Sequence, residues 1–381
     1  MMFIEVAKKF QEPEQNLLME IATLAKATPD LIDLSLGDPD ITTDEAIINA
    51  SMVDAKAGHT HYTASDGSQE FLEAVVNFYQ RHYGLHFEID QIRGTVGALH
   101  GMYLTMQALL NPGDEVIIHE PYFSPYKDQI VLAGGQPVIV PTFEEDGFQL
   151  NLSLLEKAIT PKTKAIIINS PNNPTGAVFS DDTLKGIADL AKQHNFVVLA
   201  DEVYEAFCYE QEYTPMATFA PDHTITFSSF SKTFAMTGWR IGYMISPVHV
   251  NQVIKQINES VTYSAPTLSQ QAGIYALNHY QTFAEQTKEL FAERLSYIEK
   301  RISMIPFLSL TPVKGSIYAF VNIEKTGLTS VPFTEKLVKE TQVLVIPGEA
   351  FGDSGKNYVR IAATQDLTQL KEAFDRIEQL S

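Results

Sequence analysis

Apolar positions switch repeatedly between two spacings along the first two-thirds of the chain. Residues 67–84, GSQEFLEAVVNFYQRHYG, place Phe71, Leu72, Val75, Val76 and Tyr79 at helical intervals, with Asp66 and Gln69 three apart as the expected cap. A second helix is predicted over 98–110, closed by Asn111-Pro112-Gly113. Five short apolar runs then read as buried strands: 115–119 (EVIIH), 137–141 (PVIVP), 165–169 (AIIIN), 196–200 (FVVLA) and 224–228 (TITFS). Helices such as 180–195 lie between several of them. Strands apolar on both faces must be covered on both, so the pattern predicts a mostly parallel sheet flanked by helices, an α/β domain.

From about residue 265 the pattern changes. Helices are predicted over roughly 267–305, shorter strands around 315–323, 343–348 and 358–363, and an amphipathic helix over 365–380. This reads as a smaller α+β domain. The expected division is an N-terminal segment 1–45, packing with the small domain and over the cleft, a large domain 46–275 and a small domain 276–381. A length of 381 residues accommodates two domains of about 100–200 residues.

Composition narrows the function classes. Lys and Arg total 27 against 47 Asp and Glu, a net charge of −20, and such a surface repels nucleic acid and anionic membrane. No segment approaches the ~20 apolar residues of a membrane span, and the first fifteen residues do not form a secretory signal. One cysteine, Cys208, excludes an internal disulfide or a thiolate zinc site. A cytoplasmic protein is expected. His59 with His61, and His82 with His86, resemble metal pairs only superficially, since no carboxylate cluster completes either; no metal is expected.

The chemistry gathers where strands end, the edge at which parallel sheets bind ligands. Strand 165–169 runs into SPNNPTG (170–176), presenting Asn173; the alternative is a plain tight turn. Strand 196–200 runs into Asp201 and, three residues on, Tyr204; Asp201 is either a helix cap or a buried carboxylate facing a protonated ring nitrogen. Strand 224–228 leads into SSFSKTFAMTGWRIGY (228–243). There Lys232 lies among Ser229, Ser231 and Thr233, with Phe230, Phe234, Met236 and Trp239 as an apolar wall unlike a solvated loop. A small, partly dry setting suits a lysine that must lose its proton to form a Schiff base. Arg240 beside serine hydroxyls suits a phosphate. Gly97-Ala98 opens a helix whose first N–H groups could serve the same anion.

These segments, with LSLGDPD (34–40), HYTASDG (61–67), GAL (97–99), PGDEVIIHEPYFSPY (112–126) and YVRIA (358–362), resemble the class I/II aminotransferase family of fold-type-I pyridoxal-phosphate enzymes over essentially the whole chain. The resemblance implies a mostly parallel seven-stranded sheet, pyridoxal 5′-phosphate as cofactor and a ping-pong transfer of an amino group between an L-amino acid and a 2-oxo acid. It implies that Lys232 carries the cofactor as an aldimine and later moves the substrate Cα proton. Asp201 would face the pyridine nitrogen, Asn173 and Tyr204 the ring oxygen, and Phe123, favoured over Tyr122, the ring face. Ser229, Arg240 and the N–H groups of Ala98 and Leu99 would hold the phosphate, joined by Tyr62 from a second subunit of a homodimer. Arg360, helped by the backbone around Gly37, would clamp the substrate α-carboxylate. A carbon–sulfur β-lyase on the same fold is the alternative outcome.

Some positions depart from the family pattern. Leu99 stands where many members carry a hydroxyl or a lysine, so only its backbone can serve a phosphate. His100 reads as a packing residue and Cys208 as a small packed hydrophobe. No second arginine suits a substrate side-chain carboxylate, and the aromatics Tyr62, Phe123 and Tyr318 are compatible with large apolar or aromatic substrates.

Overall fold

The structure is a computed structural model and describes Ala7, Ile21, residues 23–26 and residues 28–380. Twelve strands occur among the described residues: β1 (Ile32–Asp33), β2 (Ile92–Thr95), β3 (Glu115–Glu120), β4 (Gln136–Pro141), β5 (Thr163–Asn169), β6 (Val197–Asp201), β7 (Thr224–Ser229), β8 (Gly242–Ile245), β9 (Tyr318–Asn322), β10 (Val343–Leu344), β11 (Ile346–Pro347) and β12 (Tyr358–Ala362). Seven of them form one sheet in the order β2-β8-β7-β6-β5-β3-β4, and β8 alone runs against the rest. The five apolar runs all become strands of this sheet.

Successive side chains of a strand point to opposite faces, and both faces here are covered. Ile167, Leu199, Ile225 and Phe227 pack against Met102 and Met106 of the helix Ala98–Leu109 and against Ile254. Ile166, Ile168, Val198 and Ala200 pack on the other side against Leu184, Ile187 and Ala191 of the helix Asp181–His194. Full burial of one such side chain contributes about 1.5–3 kcal/mol, which is why the sheet reads as nearly continuous apolar runs.

Three readings need correction. The helix over 67–84 spans Gln69–Tyr83 and is capped by Ser68, whose hydroxyl accepts from the Phe71 N–H at 3.2 Å. Asp66 instead offers its carbonyl to Gly94, because the chain must turn there to meet β2. The apolar pattern does not reveal strands β2 and β8; β2 (IRGT) carries the fully buried Arg93, whose charge breaks the apolar signal although Asn251 Oδ1 and the Ser65 carbonyl accept from its guanidinium. The run 343–348 is two strands serving different sheets, β10 parallel to β1 and β11 antiparallel to β12.

β9, β11 and β12 make a three-stranded antiparallel sheet. It packs with Phe291, Leu295 and Ile298 of the long helix Tyr280–Met304 and with Phe374 of the last helix, Leu367–Ile377. Ile32 and Leu34 join the same cluster. Of the segment 1–45 expected to cover the cleft, residues 1–6, 8–20, 22 and 27 lie outside the described residues. Further along, Asp40 pairs with Arg294 of the same long helix at 2.7 Å, and Asp38 accepts from the hydroxyl of Thr237, beyond β7. No helix of the described residues is long and apolar enough to cross a membrane.

Candidate active site

Register explains why distant segments meet. β5, β6 and β7 run parallel and end side by side, with Asn169 opposite Asp201 and Asp201 opposite Phe227. Because β8 is antiparallel, its first residue, Gly242, pairs with Ser229 at the end of β7 and with Thr95 at the end of β2. The Arg240 turn before β8 and the Gly97 turn after β2 are thereby delivered to one edge. A Cβ at Gly242 would come within 2.6 Å of the Ser228 carbonyl and 2.9 Å of Gly97, so only glycine permits this approach.

Gly37, Ala98, Leu99, Phe123, Asn173, Asp201, Tyr204, Ser229, Lys232, Arg240 and Arg360 all line one cavity of about 430 Å³. Tyr62 does not. The residue is 85% exposed, and its ring packs edge-on against Tyr263 at 5.4 Å, outside its own cavity. Phe123 lines the cavity while Tyr122 is buried in the core behind it. A larger cavity of about 890 Å³, bordered by Leu24, Val338 and Arg376, holds none of the expected chemistry.

At one end of the cavity, Gly97 (φ 76°) lets the chain turn into the helix Ala98–Leu109, whose first N–H groups have no acceptor within the helix. Arg240 faces them: a Cβ on Gly97 would lie 2.9 Å from its Nη2. A guanidinium beside the positive end of a helix repels it unless an anion lies between them. Ser229 and Ser231, whose hydroxyls are 2.9 Å apart, complete a cradle that fits a phosphate. His100 closes the turn from behind, its Nδ1 accepting from the Val96 N–H at 3.1 Å; burial holds its pKa down at about 4, so it is a neutral packing group.

Asp201 lies at the cavity floor. The Tyr126 hydroxyl donates to its Oδ2 at 2.5 Å and the Val203 N–H to Oδ1 at 3.3 Å, so it caps no helix. Burial pushes its carboxyl up to about 6, against those two hydrogen bonds. A buried carboxylate with donors on one side and a cavity on the other fits a protonated ring nitrogen, which would restore its charge. Tyr126 was not assigned a role from the sequence, although it closes the segment 112–126. Tyr126→Phe should weaken binding of the expected pyridoxal phosphate by about tenfold, one hydrogen bond to a charged group; titration of the protein with pyridoxal phosphate measures it, and unchanged affinity would contradict this placement.

Asn169 orders the next layer. Its Oδ1 accepts from the Asn173 N–H at 2.8 Å and its Nδ2 donates to the Asp201 carbonyl at 3.0 Å. Asn173 Oδ1 in turn accepts from Arg360 Nη1 at 2.9 Å, and the Ser35 carbonyl accepts from Nη2. The Arg360 guanidinium is sandwiched between Tyr318 and Phe351, 4.3 and 4.9 Å from their ring centroids, and its Nε is buried without a partner. Tyr318 also pairs with Tyr204, hydroxyl to hydroxyl at 3.1 Å. Burial raises the Tyr318 phenol, but the nearby charges of Lys232 and Arg360 outweigh it and the net shift is downward. Lys232 Nζ donates to the Gly37 carbonyl. A Cβ on Gly37 would overlap the Tyr318 hydroxyl at 1.8 Å, so this backbone must be glycine.

Behind Asp201 sit two more buried carboxyls. Glu202 accepts from the Met216 N–H at 2.9 Å and Glu205 from the Tyr280 hydroxyl at 2.6 Å; burial lifts them to about 8 and about 7. Raised carboxyl pKa values mean the folded chain holds protons the unfolded chain releases. Their stabilisation is complete below the unfolded value, about 4, and is lost progressively as pH rises from there through the folded values, about 7 and about 8. The melting temperature of the ligand-free protein should therefore fall between pH 5 and pH 8, on the order of several degrees. Glu202→Gln should flatten the upper part of that fall; an unaltered profile would refute it.

Cys208 is buried and its thiol is pushed up to about 12 by burial, which makes it inert. His59 is engaged by Asp54 at 2.6 Å.

Residues 29–377 match the model of the family described as aminotransferase class I and II. The chain belongs to that family. The aspartate aminotransferase of Pyrococcus horikoshii is 39% identical over 98% of this aminotransferase and 96% of its own length. Aromatic-amino-acid aminotransferase 2 of Thermococcus litoralis is 37% identical over 95% of each chain. The solved structure of a Thermus thermophilus aspartate aminotransferase with maleate covers 100% of both chains at 31% identity with a TM-score of 0.94. Members of this family depend on pyridoxal phosphate, and the cavity's donors are those such a group requires.

Proposed function

We propose that this aminotransferase holds pyridoxal phosphate in the 430 Å³ cavity and transfers an amino group between an L-amino acid and a 2-oxo acid in a ping-pong cycle, as a homodimer. The observation that carries the reading is the convergence of Lys232, Asp201, the Arg240 cradle and Arg360 on one cavity. Pyridoxal phosphate, when bound, supplies an aldehyde that condenses with amines and a ring that accepts the electrons left by a departing Cα proton. Arg240, Ser229 and the N–H groups of Ala98 and Leu99 fix the phosphate, and Phe123 covers a ring face. Asp201, held by Tyr126, keeps a proton on the ring nitrogen. Arg360 spends Asn173 Oδ1 as its own acceptor, which leaves the Asn173 amide N–H to join Tyr204 as donors to the ring oxygen. Arg360 grips the α-carboxylate and thereby orients the Cα–H toward Lys232, whose freed amine would take the proton from Cα and hold it for return.

Tyr62 is read as serving the neighbouring subunit's phosphate, supported by its exposure beside Tyr263 outside its own cavity. We also read the chain as a large lobe 46–275 and a small lobe 276–381 with 1–45 attached to the latter, supported by Ile32 and Leu34 packing with Phe291 and Ile361.

Mixing the holoenzyme with a panel of amino acids tests the reaction. Conversion of the cofactor from its aldehyde to its amine absorbance, with one 2-oxo acid formed and no ammonia, is expected. Ammonia release without the amine form would instead identify a β-lyase. The names of the relatives divide between aspartate and aromatic amino acids and leave the substrate side chain open.

A further inference from the structure

Three cations line the cavity, and the proposed function occupies each of them: Lys232 with the aldehyde carbon, Arg240 with the phosphate and Arg360 with the α-carboxylate. No other Lys, Arg or His lines it among the described residues. The one lining charge without a role is negative. Asp38 sits at the exposed side, directly after the Gly37 carbonyl that meets Lys232, and its Oδ1 is fixed by the Thr237 hydroxyl at 2.7 Å. Beside it the rim is apolar. Leu36 is 62% and Leu99 40% exposed, a solvent exposure that large aliphatic side chains do not need for folding. Across the cavity Tyr318 stacks on Arg360, so the wall next to the bound α-carboxylate is an aromatic ring. If a second copy reaches in with Tyr62, it brings the Tyr62–Tyr263 ring pair, from stretches 59–65 and 260–265 that hold no lysine or arginine.

A substrate carboxylate leaving water needs a cation or several donors in exchange. An apolar side chain gains by leaving water against Leu36, Leu99 and aromatic rings. We infer that the site takes amino acids with neutral, apolar side chains, of large aliphatic or aromatic size, and that Asp38 turns away a second carboxylate. The same cavity serves both halves of the cycle, so the rule covers the 2-oxo acid as well. This inference rests on the aminotransferase reading.

The test uses the full-length holoenzyme and a ladder of charge at one position: wild type, Asp38→Asn and Asp38→Lys. The rate constants of the half-reaction are measured with L-phenylalanine, L-leucine and L-aspartate. Binding of the unreactive acids 3-phenylpropionate and succinate is followed by calorimetry. Wild type should favour phenylalanine over aspartate by about tenfold or more. The aspartate-to-phenylalanine ratio should rise by about threefold at each step of the ladder, the size of an exposed charge interaction. Succinate binding should gain on 3-phenylpropionate in the same order, and less so at high salt. A merely structural Asp38 would move both substrates together. Faster conversion by aspartate in wild type, or a ratio unmoved across the ladder, overturns the inference and leaves the aminotransferase reading standing. Conversion by no amino acid removes that reading, and this inference with it.

Discussion

Lys232→Ala should lower turnover by about 10⁴-fold or more while the protein stays folded. The size follows from what is lost together: the amine that holds the cofactor and the base that moves the Cα proton, the second alone contributing about 10²–10⁴-fold. The fold has little stake in this side chain. Its Nζ donates one hydrogen bond, to the Gly37 carbonyl, and lines a cavity open to water. The wall around it is held by Phe230 and Met236, which are fully buried and unaffected. Unchanged circular dichroism and a melting temperature within a few degrees of wild type are expected beside the lost activity. Turnover within tenfold of wild type would be incompatible with the proposed role.

Arg360→Lys should reduce kcat/KM by about 10²–10³-fold, equivalent to about 2.7–4 kcal/mol, the cost of disrupting a buried hydrogen-bonded charge pair. Lysine keeps the charge, so the loss isolates geometry. The guanidinium is planar, fits between the rings of Tyr318 and Phe351, and bonds both Asn173 and the Ser35 carbonyl. A single ammonium cannot reproduce that fork or the stacking. The effect should appear mainly in KM for the amino acid, with the bound cofactor's absorbance retained. A loss confined to cofactor binding would show that Arg360 serves the fold or the cofactor instead of the substrate. Arg360→Ala leaves a void between two aromatic rings and should be the less stable variant, which is why the lysine variant is the informative one.

Much of this site was legible in the sequence because register does the assembling. Asn173 and Lys232 follow parallel strands and Asp201 ends one, and parallel strands end at one edge whatever their neighbours are. What the sequence does not carry are the contacts that no spacing encodes. Tyr126 meets Asp201 from 75 positions away, through the seating of a short helix under the sheet edge. Arg360 meets Asn173 across 187 positions, because the three-stranded sheet closes on the large one. β2 was missed since Arg93, buried yet hydrogen-bonded, looks polar to any periodicity. β8 was missed because it is four residues long and opens on the glycine that lets the Gly97 turn approach. The helix cap was misassigned for a related reason: Ser68 and Asp66 are both good caps, and only the path of the chain into β2 decides between them.

The central claim is that Lys232 carries the cofactor. Reduction of the holoenzyme with borohydride, followed by proteolysis and mass spectrometry, tests it most directly. The account predicts a single pyridoxyl-phosphate adduct on the peptide containing Lys232. An adduct on another lysine, or none in protein that has bound the cofactor, would contradict it.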